Sequence, residues 1–295
     1  MPSKSDRRYT ERDSPFFRLR SRARLASLLF IGKAKLRTLA DGGALYRHFT
    51  RPKASGGLRA ISAPRGDLKS VQARIAKLLR RIETPDYLFA PVPGRSYVDN
   101  AATHLGAMSI RGLDIEDFFP NCTAKRAFWF FHVRMECSRD VAAVLTRIVT
   151  HEGALPQGSP CSPILAYWCY VDMWEQIARI VQDAGCTLSV YADDVTVSGR
   201  VVPEEVIWRV KTLLRAHGHR CAGAKERARH ARPAKITGVI VRGDRLQTPN
   251  RLQKKLHDLR REALRMRSDN DRADLMVRIR GREVQMEQIA SGNPR

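Results

Sequence analysis

Three carboxylates stand where apolar, strand-like runs of the sequence end or meet. Asp114 lies at the end of MSIRGLDI (108–115), and Asp193 and Asp194 lie at a tight turn within TLSVYADDVTVSG (187–199). Burying a carboxylate without a partner is costly, and two adjacent carboxylates repel each other. A divalent cation would relieve both costs, so these residues are candidate metal ligands.

The chemistry that such a site supports is transfer of a phosphoryl or nucleotidyl group. If the two strand regions are neighbours in one sheet, Asp114 and the hairpin carboxylates can hold two Mg²⁺ ions. Ions about 3.5 to 4 Å apart stabilise the attacking and the leaving oxygen together. An Asp-Asp pair in a turn can instead serve only to form the turn. The rest of the sequence decides between these two interpretations.

The charge of the chain indicates the kind of partner. Its 295 residues include 53 Lys and Arg against 30 Asp and Glu, a formal net charge of +23. Such a charge favours nucleic-acid binding through counterion release, with an anionic membrane surface as the competing partner. No stretch approaches roughly eighteen uninterrupted apolar residues, and the N-terminus has no apolar signal core. We therefore expect a cytoplasmic protein that neither spans a membrane nor is secreted.

The composition excludes three further classes of protein. With 43% hydrophobic residues the chain can bury a sizeable core, which excludes wholesale disorder. The cysteines are far apart, without a CxxC or Cys-x-x-His pair, which excludes a disulfide framework and a zinc site. We expect small buried apolar roles for Cys122, Cys137, Cys161, Cys169, Cys186 and Cys221.

The elements that position the carboxylates follow from the periodicity of apolar residues. Residues 1–24 carry eight basic and three acidic groups with little periodicity, which predicts a loosely ordered basic arm up to about Leu25. KITGVIV (235–241) is predicted to be a third strand region, followed by a Gly243-Asp244 turn. The spacing of apolar residues predicts a helix over Asp67–Glu83, with Asp67 as its cap and a basic face opposite the apolar one. Further helices are predicted to begin after a cap at Ser138 and to run over Pro203–Gly218. Two basic helical stretches are predicted after Pro249, the second from about Asp271 to Ile289.

Four blocks of sequence together resemble reverse transcriptases, and bacterial members of that family in particular. They are, in chain order, GGLRAISAPRGDLKSVQARIAKLL (56–79), LDIEDFF (113–119), LPQGSPCSPILA (155–166) and YADD (191–194). The resemblance covers most of residues 50–250. It is specific because four unrelated blocks would have to coincide.

Two shorter blocks resemble the retron branch of that family. The segment containing Asn100 and His104 is similar to an Asn-Ala-x-x-His block, and Ile236-Thr237-Gly238 is similar to a Val-Thr-Gly block. Two positions depart from the branch: Arg242 replaces an Asn that often follows the second block, and Ala222 replaces an Asn before the palm lysine. These departures concern the retron assignment and not the polymerase assignment.

The resemblance implies roles for the carboxylates and their surroundings. Asp114 and Asp193 would be the principal metal ligands, and Asp194 a third carboxylate near the primer end. The backbone carbonyl of Ile115 would add an oxygen ligand. Hard oxygen ligands suit Mg²⁺, and the resemblance implies two such ions as cofactors.

The resemblance also implies a site for the incoming nucleotide. Phe119 would pack under the sugar and exclude a 2′-hydroxyl, although it could instead be a core residue beside Phe118. Lys53 would help at the triphosphate, although it could instead be a flexible surface lysine. The other residues implied are Arg59 at the triphosphate, Gln157 and Gly158 in a loop against the nucleotide, and Lys225 at the departing pyrophosphate.

A further set of residues would contact RNA or the primer. For His104 the alternative is to order the loop around Asn100, and for Tyr191 it is a place in the core. Glu116 and Asp117, next to Asp114, are not expected to bind metal. The residues implied to contact RNA or primer are Asn100, His104, Tyr191 and, in the basic C-terminal stretch, Lys254, Lys255, Arg260 and Arg261.

The architecture implied is a right hand of fingers, palm and thumb. It is an α+β fold in which an antiparallel palm sheet bears the aspartates, with helical fingers and a helical thumb. The expected boundaries are a basic N-terminal arm at 1–24, fingers at 25–107, a palm at 108–248 with a fingers insertion near 123–155, and a basic thumb at 249–295.

The activity implied is RNA-templated addition of deoxynucleoside triphosphates to a primer hydroxyl, with release of pyrophosphate. The retron resemblance implies a structured noncoding RNA as template and primer, a branched RNA-linked single-stranded DNA product, and a role in antiphage defence with an effector protein. One alternative is another bacterial reverse transcriptase, from a group II intron, a diversity-generating element or a template-free defence system. The other is a non-catalytic RNA-binding scaffold, which has no reason to keep unscreened carboxylates facing a polyanion.

Overall fold

The computed structural model describes residues 8–42, 45–52, 56–266 and 269–293. Contacts divide the chain into two compact units. The α+β fold class with an antiparallel sheet is confirmed, whereas the boundaries of fingers, palm and thumb stay a prediction. The helical unit comprises Met1–Pro93, Ile115–Ile177 and Lys211–Cys221, and the sheet unit comprises Gly94–Asp114, Ala178–Val210 and Ala222–Arg295.

Helices and strands are interspersed along the chain. The helices are α1 (Arg22–Leu28), α2 (Lys33–Ala40), α3 (Gly66–Leu79), α4 (Tyr97–Ala102), α5 (Ala124–Trp129), α6 (Arg139–Val149), α7 (Ser162–Trp168), α8 (Val171–Asp183), α9 (Glu204–Ala216), α10 (Asn250–Arg265) and α11 (Asp269–Ser291). The strands are β1 (Tyr46–Pro52), β2 (Leu58–Pro64), β3 (Leu88–Ala90), β4 (Ser109–Asp114), β5 (Thr187–Tyr191), β6 (Asp194–Gly199), β7 (Arg227–His230), β8 (Ala234–Ile236), β9 (Val239–Arg242) and β10 (Arg245–Gln247). A π-helical stretch at Phe130–Arg134 continues α5, and 3₁₀ turns occur at Glu11–Asp13 and Gly223–Lys225.

Large aromatic side chains form the core of the helical unit. Phe16, Phe130 and Trp174 are fully buried and Trp168 is 1% exposed. Full burial of a Phe side chain contributes about 1.5 to 3 kcal/mol relative to exposure. Because Phe16 belongs to this core, the expectation of a loosely ordered arm up to Leu25 is wrong for residues 8–24.

Backbone hydrogen bonds also anchor the N-terminal segment within the helical unit. Tyr9 N donates to the carbonyl of Arg81 (2.9 Å), and Glu83 N donates to the carbonyl of Tyr9 (2.9 Å). Further along, Ser138 N donates to the carbonyl of Leu19 (3.0 Å). These partners are distant in sequence, so the local pattern of residues 8–24 could not show that this segment is ordered.

Helix α3 ends earlier than predicted, and part of its basic face is occupied. The helix runs over Gly66–Leu79, and its N-cap residue is Arg65 rather than Asp67. Arg74 donates to the carbonyl of Leu28 (3.1 Å), and its guanidinium lies 4.3 Å from the centre of the Phe30 ring. This arginine therefore contributes to packing and is not freely available to nucleic acid.

The helical unit also contains the β1–β2 hairpin, which was not predicted from sequence. The two strands pair antiparallel, with Phe49 opposite Ile61 and Arg51 opposite Arg59. Five of the seven residues of β1 and three of the seven of β2 are exposed, so the hairpin lacks the apolar alternation that marks a half-buried strand.

The sheet unit contains the strands that carry the aspartates. Strands β5, β6, β4 and β7 pair antiparallel in that order. Val190, Val195 and Val197 are each at most 1% exposed, so one face of the β5–β6 pair is packed in the core. The predicted strands at 108–115 and 187–199 are confirmed.

The segment KITGVIV is two strands rather than one. Thr237 and Gly238 form a two-residue turn between β8 and β9, with φ of 44° and 93°. Hairpin turns with positive φ at both central residues match the twist of the flanking strands. The predicted Gly243-Asp244 turn lies between β9 and β10, which also pair antiparallel.

Helices α10 and α11 confirm the two helical stretches predicted after Pro249. Their shared core consists of Leu256, Leu259, Ala263, Leu275 and Ile279. In the described part of the chain, no helix combines the length and apolar character that crossing a membrane requires.

Candidate active site

Asp193 lies in a two-residue turn at the tip of the β5–β6 hairpin, which we call the aspartate hairpin (187–199). Tyr191 and Asp194 are directly opposite each other, so Ala192 and Asp193 alone form the turn. Ala192 has a φ of 56°, a conformation that is uncommon for a residue with a side chain. The turn places Asp193 and Asp194 side by side at one end of the sheet.

Asp114 is brought to the same place by strand β4. In the β4–β6 ladder Asp114 lies directly opposite Asp194, and all three aspartates are half-buried. Ala222 N donates to the carbonyl of Asp114 (2.8 Å), which fixes the end of the strand. Directly opposed residues share a face of the sheet, so the predicted juxtaposition of Asp114 with the hairpin carboxylates is observed.

A cavity of about 380 Å³ in the sheet unit opens onto this face. Asp114 and Asp194 line it together with Arg227, Arg229 and Lys235. Arg227 and Arg229 could not be recognised from sequence, because their strand β7, RARH, has four exposed residues and no apolar alternation. The cavity therefore combines carboxylates that suit a metal with cations that suit phosphate groups.

The carboxylates fit a divalent cation that is shared with a substrate. Among the described residues, no three His, Cys, Asp or Glu side chains are grouped closely enough to hold a metal ion by themselves. Mg²⁺ is usually held by one or two carboxylates plus substrate phosphates rather than by an all-protein cage. Asp114 opposite Asp194, with Asp193 adjacent, matches that incomplete donor set.

An ion-pair network centred on the buried Arg111 holds β4 on its other side. Arg111 is only 9% exposed and donates to Glu204 and, at 2.8 Å, to Glu226. Burial acts to lower the pKa of Arg111, but the hydrogen bonds to the two carboxylates outweigh it and raise that pKa. The network links β4 to the segment of Lys225, whose backbone lies in a 3₁₀ turn and whose side chain is outside the described part.

In the helical unit, the loop of Gln157 and Gly158 docks on strand β2. Ser62 N donates to the carbonyl of Gln157 (2.7 Å). Gly158 has a φ of 114°, and a Cβ there would lie 2.9 Å from Cγ2 of Ile61 and 3.2 Å from the carbonyl oxygen of Ser62. The close approach that requires glycine is thus to β2, the strand that carries the exposed Arg59.

Phe119 is half-buried, and its ring centre lies 5.7 Å from that of Phe118. Phe118 is the core residue of the pair: it is 4% exposed and packs against Trp174 and His219. Phe119 thus keeps part of its surface accessible, as a residue that touches a sugar must. Lys53 lies outside the described residues, and Ile115 is buried and bridged to Cys221.

We expect Phe119→Ala to admit ribonucleotides, because it removes the ring that would occupy the space of a 2′-hydroxyl. The stability cost should be less than the roughly 3 to 5 kcal/mol of a fully buried Phe. The measurement is the ratio of deoxynucleotide to ribonucleotide incorporation, with Phe119→Tyr as the control that keeps the ring. A folded Phe119→Ala protein with the parental ratio would show that another residue selects the sugar.

His104 and Asn100 are buried inside the sheet unit, at 0% and 1% exposure, so the expectation that they contact RNA is wrong for this structure. His104 Nδ1 lies 2.6 Å from Ser198 Oγ, and its Nε2 lies 2.7 Å from Ser189 Oγ. Asn100 Nδ2 donates to Thr237 Oγ1 (3.3 Å). The alternative role, internal ordering, is the one these contacts support.

Buried histidines should make the protein sensitive to acid. Desolvation by burial lowers the pKa of His104 from 6.5 to about 4 and, aided by nearby positive charge, that of His219 to about 4. A histidine that folds in its neutral form contributes stability that is complete above pH 6.5 and is lost as the pH falls towards 4, up to about 3 kcal/mol per residue. We expect the free energy of unfolding to fall across this window. Urea titrations should show a smaller fall for His104→Gln than for the parent, and equal falls would contradict the assignment.

The basic residues predicted at the C-terminus lie on α10 and are exposed. Lys254, Lys255 and Arg261 are available to a ligand, whereas Arg260 donates to Glu283 of α11 at 2.7 Å. Tyr191 is half-buried beside the aspartates. Their contacts with RNA or primer stay predictions.

Comparison with known proteins adds family information to this geometry. A family model described as reverse transcriptase (RNA-dependent DNA polymerase) matches residues 51–241. The chain is 32% identical to the Retron Ec86 reverse transcriptase of Escherichia coli over 150 residues, which is 50% of this chain and 47% of that protein. It is 30% identical to the Retron Mx65 reverse transcriptase of Myxococcus xanthus over 220 residues, 66% of this chain and 51% of that protein.

The chain spans about half the length of these curated relatives. Among solved structures, it is similar to a foamy viral protease-reverse transcriptase in complex with an RNA/DNA hybrid. That similarity has a TM-score of 0.44 and 16% identity, and it covers 72% of this chain and 25% of the viral one.

Proposed function

The chain belongs to the reverse transcriptase family, and from this membership we propose that it is an RNA-directed DNA polymerase. The reaction would add deoxynucleotides to a primer hydroxyl and release pyrophosphate. The observation that supports this proposal most directly is the position of Asp114 opposite Asp194, with Asp193 in the adjoining turn.

The residues of the chain would divide the chemistry as follows. Asp114, Asp193 and Asp194 would hold two Mg²⁺ ions, which neutralise charge on the attacking and leaving oxygens when bound. Arg59 would bind the triphosphate through two oxygens at once, as a planar guanidinium can. Lys225 would neutralise the departing pyrophosphate.

We further propose that the substrate RNA is a structured noncoding RNA of the retron type. The similarity to retron reverse transcriptases supports this proposal. The RNA would serve as template and primer and would yield branched RNA-linked single-stranded DNA. An effector protein and a role in antiphage defence belong to the same proposal, as does a cytoplasmic location.

Two assays test the two levels of the proposal. Primer extension on an RNA template with deoxynucleotides and Mg²⁺ tests the polymerase, and its absence on every template would favour the RNA-binding scaffold. Analysis of the nucleic acid that copurifies tests the retron assignment. A branched RNA-DNA species is expected, and extension without such a species would favour another bacterial reverse transcriptase.

We expect the C-terminal helices to choose the RNA. Basic faces of packed helices can bind folded RNA through its shape and its phosphates. Base sequence contributes little to such binding, because side chains cannot enter the narrow major groove of A-form RNA. Exchanging 251–287 for the segment of a retron relative should move the preference to that relative's RNA while extension on a generic primer persists. The exchange should stop before Gln288, which accepts from Tyr97 OH (3.3 Å), and Asn293, which is hydrogen-bonded to Leu246. A chimera with unchanged preference would place recognition elsewhere.

A further inference from the structure

We infer that His104 is a positioning residue, which holds the aspartate hairpin in register through Ser189 and Ser198. The inference rests on the proposed polymerase function, because the hairpin carries Asp193 and Asp194. It assigns His104 no contact with RNA, nucleotide or metal. The effect on the reaction would pass entirely through the geometry of the turn.

The contacts of the imidazole span both strands of the hairpin. Nε2 of His104 lies 2.7 Å from Ser189 Oγ on β5, and Nδ1 lies 2.6 Å from Ser198 Oγ on β6. Ser189 is opposite Thr196, so the two serines lie on one face of the hairpin but one step apart diagonally. One rigid ring therefore ties together two strands whose relative slip would move the turn.

Both serines lie close enough to the turn to matter for it. Ser189 is four residues before Asp193 and Ser198 is four residues after Asp194, a distance of about 13 Å along each strand. Asp194 must also stay opposite Asp114 on β4. A small slip of β5 against β6 would displace Asp193 relative to that pair, and a displacement of about 1 Å at a reacting group can cost about 100-fold in rate.

The two hydrogen bonds of His104 with Ser189 and Ser198 explain why a histidine occupies this position in the core. Ser189 and Ser198 are each 1% exposed, and buried hydroxyls need partners. A neutral imidazole offers a donor on one edge and an acceptor on the other, so it can bind one hydroxyl on each strand. A leucine of similar size would leave both hydroxyls without this partner and would pack without a fixed direction.

Helix α4, which precedes His104 in the chain, is itself fixed by hydrogen bonds. Helix α4 begins with a capping box between Ser96 and Asp99. Asn100 donates to Thr237, whose hydroxyl donates to the carbonyl of Tyr97 (2.9 Å). Hydrogen bonds therefore connect the two blocks that resemble retron sequences, and His104 in the first block contacts the aspartate hairpin.

The test compares variants of the tie with a matched serine. One or both of the hydrogen bonds between His104 and the two serines are removed by each of three substitutions, His104→Leu, Ser189→Ala and Ser198→Ala. The control is Ser109→Ala, which changes a serine of the same sheet for which no side-chain hydrogen bond is described. At a temperature where all variants are folded, we expect kcat of His104→Leu to fall by about 10- to 100-fold with little change in the KM for deoxynucleotides, because displacement of Asp193 costs rate and not nucleotide affinity. His104→Gln, which keeps a donor and an acceptor, should recover part of the loss, and Ser109→Ala should match the parent.

A measurement that does not depend on activity separates this inference from the proposed function. Hydrogen exchange of the amides at 190–196 should be faster in His104→Leu, Ser189→Ala and Ser198→Ala than in the parent, and unchanged in Ser109→Ala. A parent that extends no primer would overturn the polymerase proposal while leaving the exchange result intact. Folded His104→Leu with parental kcat and parental exchange would overturn the positioning role.

Discussion

Asp193→Asn and Asp114→Asn are each expected to abolish nucleotide incorporation while binding of RNA survives. Replacing a carboxylate by an amide keeps the size of the side chain but removes the charge that holds a divalent cation. The two residues lie at the tip of the aspartate hairpin and at the end of β4, where Asp114 faces Asp194. Because loss of metal-based stabilisation of the transition state removes several kcal/mol, we expect a loss of at least about 1,000-fold.

The control for this experiment is a nearby carboxylate that should not bind metal. Asp117 is exposed and has a φ of 42°, a conformation that asparagine tolerates as well as aspartate. Asp117→Asn should therefore keep both the fold and the extension rate. Measuring RNA affinity by filter binding alongside primer extension separates the two effects. Undiminished extension by either Asp114→Asn or Asp193→Asn would overturn the assignment of the metal ligands.

The site carboxylates could be predicted from sequence because their local signals are strong. Alternation of apolar and polar residues marks β5 and β6 as strands, and the polar Asp-Asp pair indicates a tight turn between them, although the turn itself consists of Ala192 and Asp193. Register then follows, since a slip of one residue would exchange the buried valines with Ser189 and Ser198 on the opposite, equally buried face. The opposition of Asp114 and Asp194 needs only the further assumption that β4 and β6 are neighbours, which the ladder confirms.

What sequence could not predict are polar side chains whose partners lie far along the chain. His104 and Asn100 look like surface residues by type, yet Ser189, Ser198 and Thr237 satisfy them within the core. Their spacing gives no sign of burial, because satisfaction of a buried polar group depends on tertiary contacts. The β1–β2 hairpin was missed because many of its residues are exposed and it has no apolar alternation.

Gly158→Ala is expected to destabilise the helical unit and to raise the KM for deoxynucleotides. The φ of 114° lies outside the range that an L side chain adopts without strain, and a new Cβ would meet Cγ2 of Ile61 at 2.9 Å and the backbone of Ser62 and Ala63 at 3.2 and 3.3 Å. Strained backbone costs about 1 to 3 kcal/mol, and overpacking against a strand costs about as much again. Displacing the loop would also move Gln157 away from β2. The position of the loop relative to Arg59 on that strand would then change.

Gly153→Ala separates strain from the clash. Gly153 also has a positive φ, of 80°, but a Cβ there would meet nothing within 4 Å. It should therefore show only the cost of backbone strain, about 1 to 3 kcal/mol, with a KM close to that of the parent. Urea unfolding and steady-state kinetics on both variants measure the two effects. If Gly158→Ala is no less stable than Gly153→Ala and keeps the parental KM, the docking of this loop on β2 does not shape the nucleotide site.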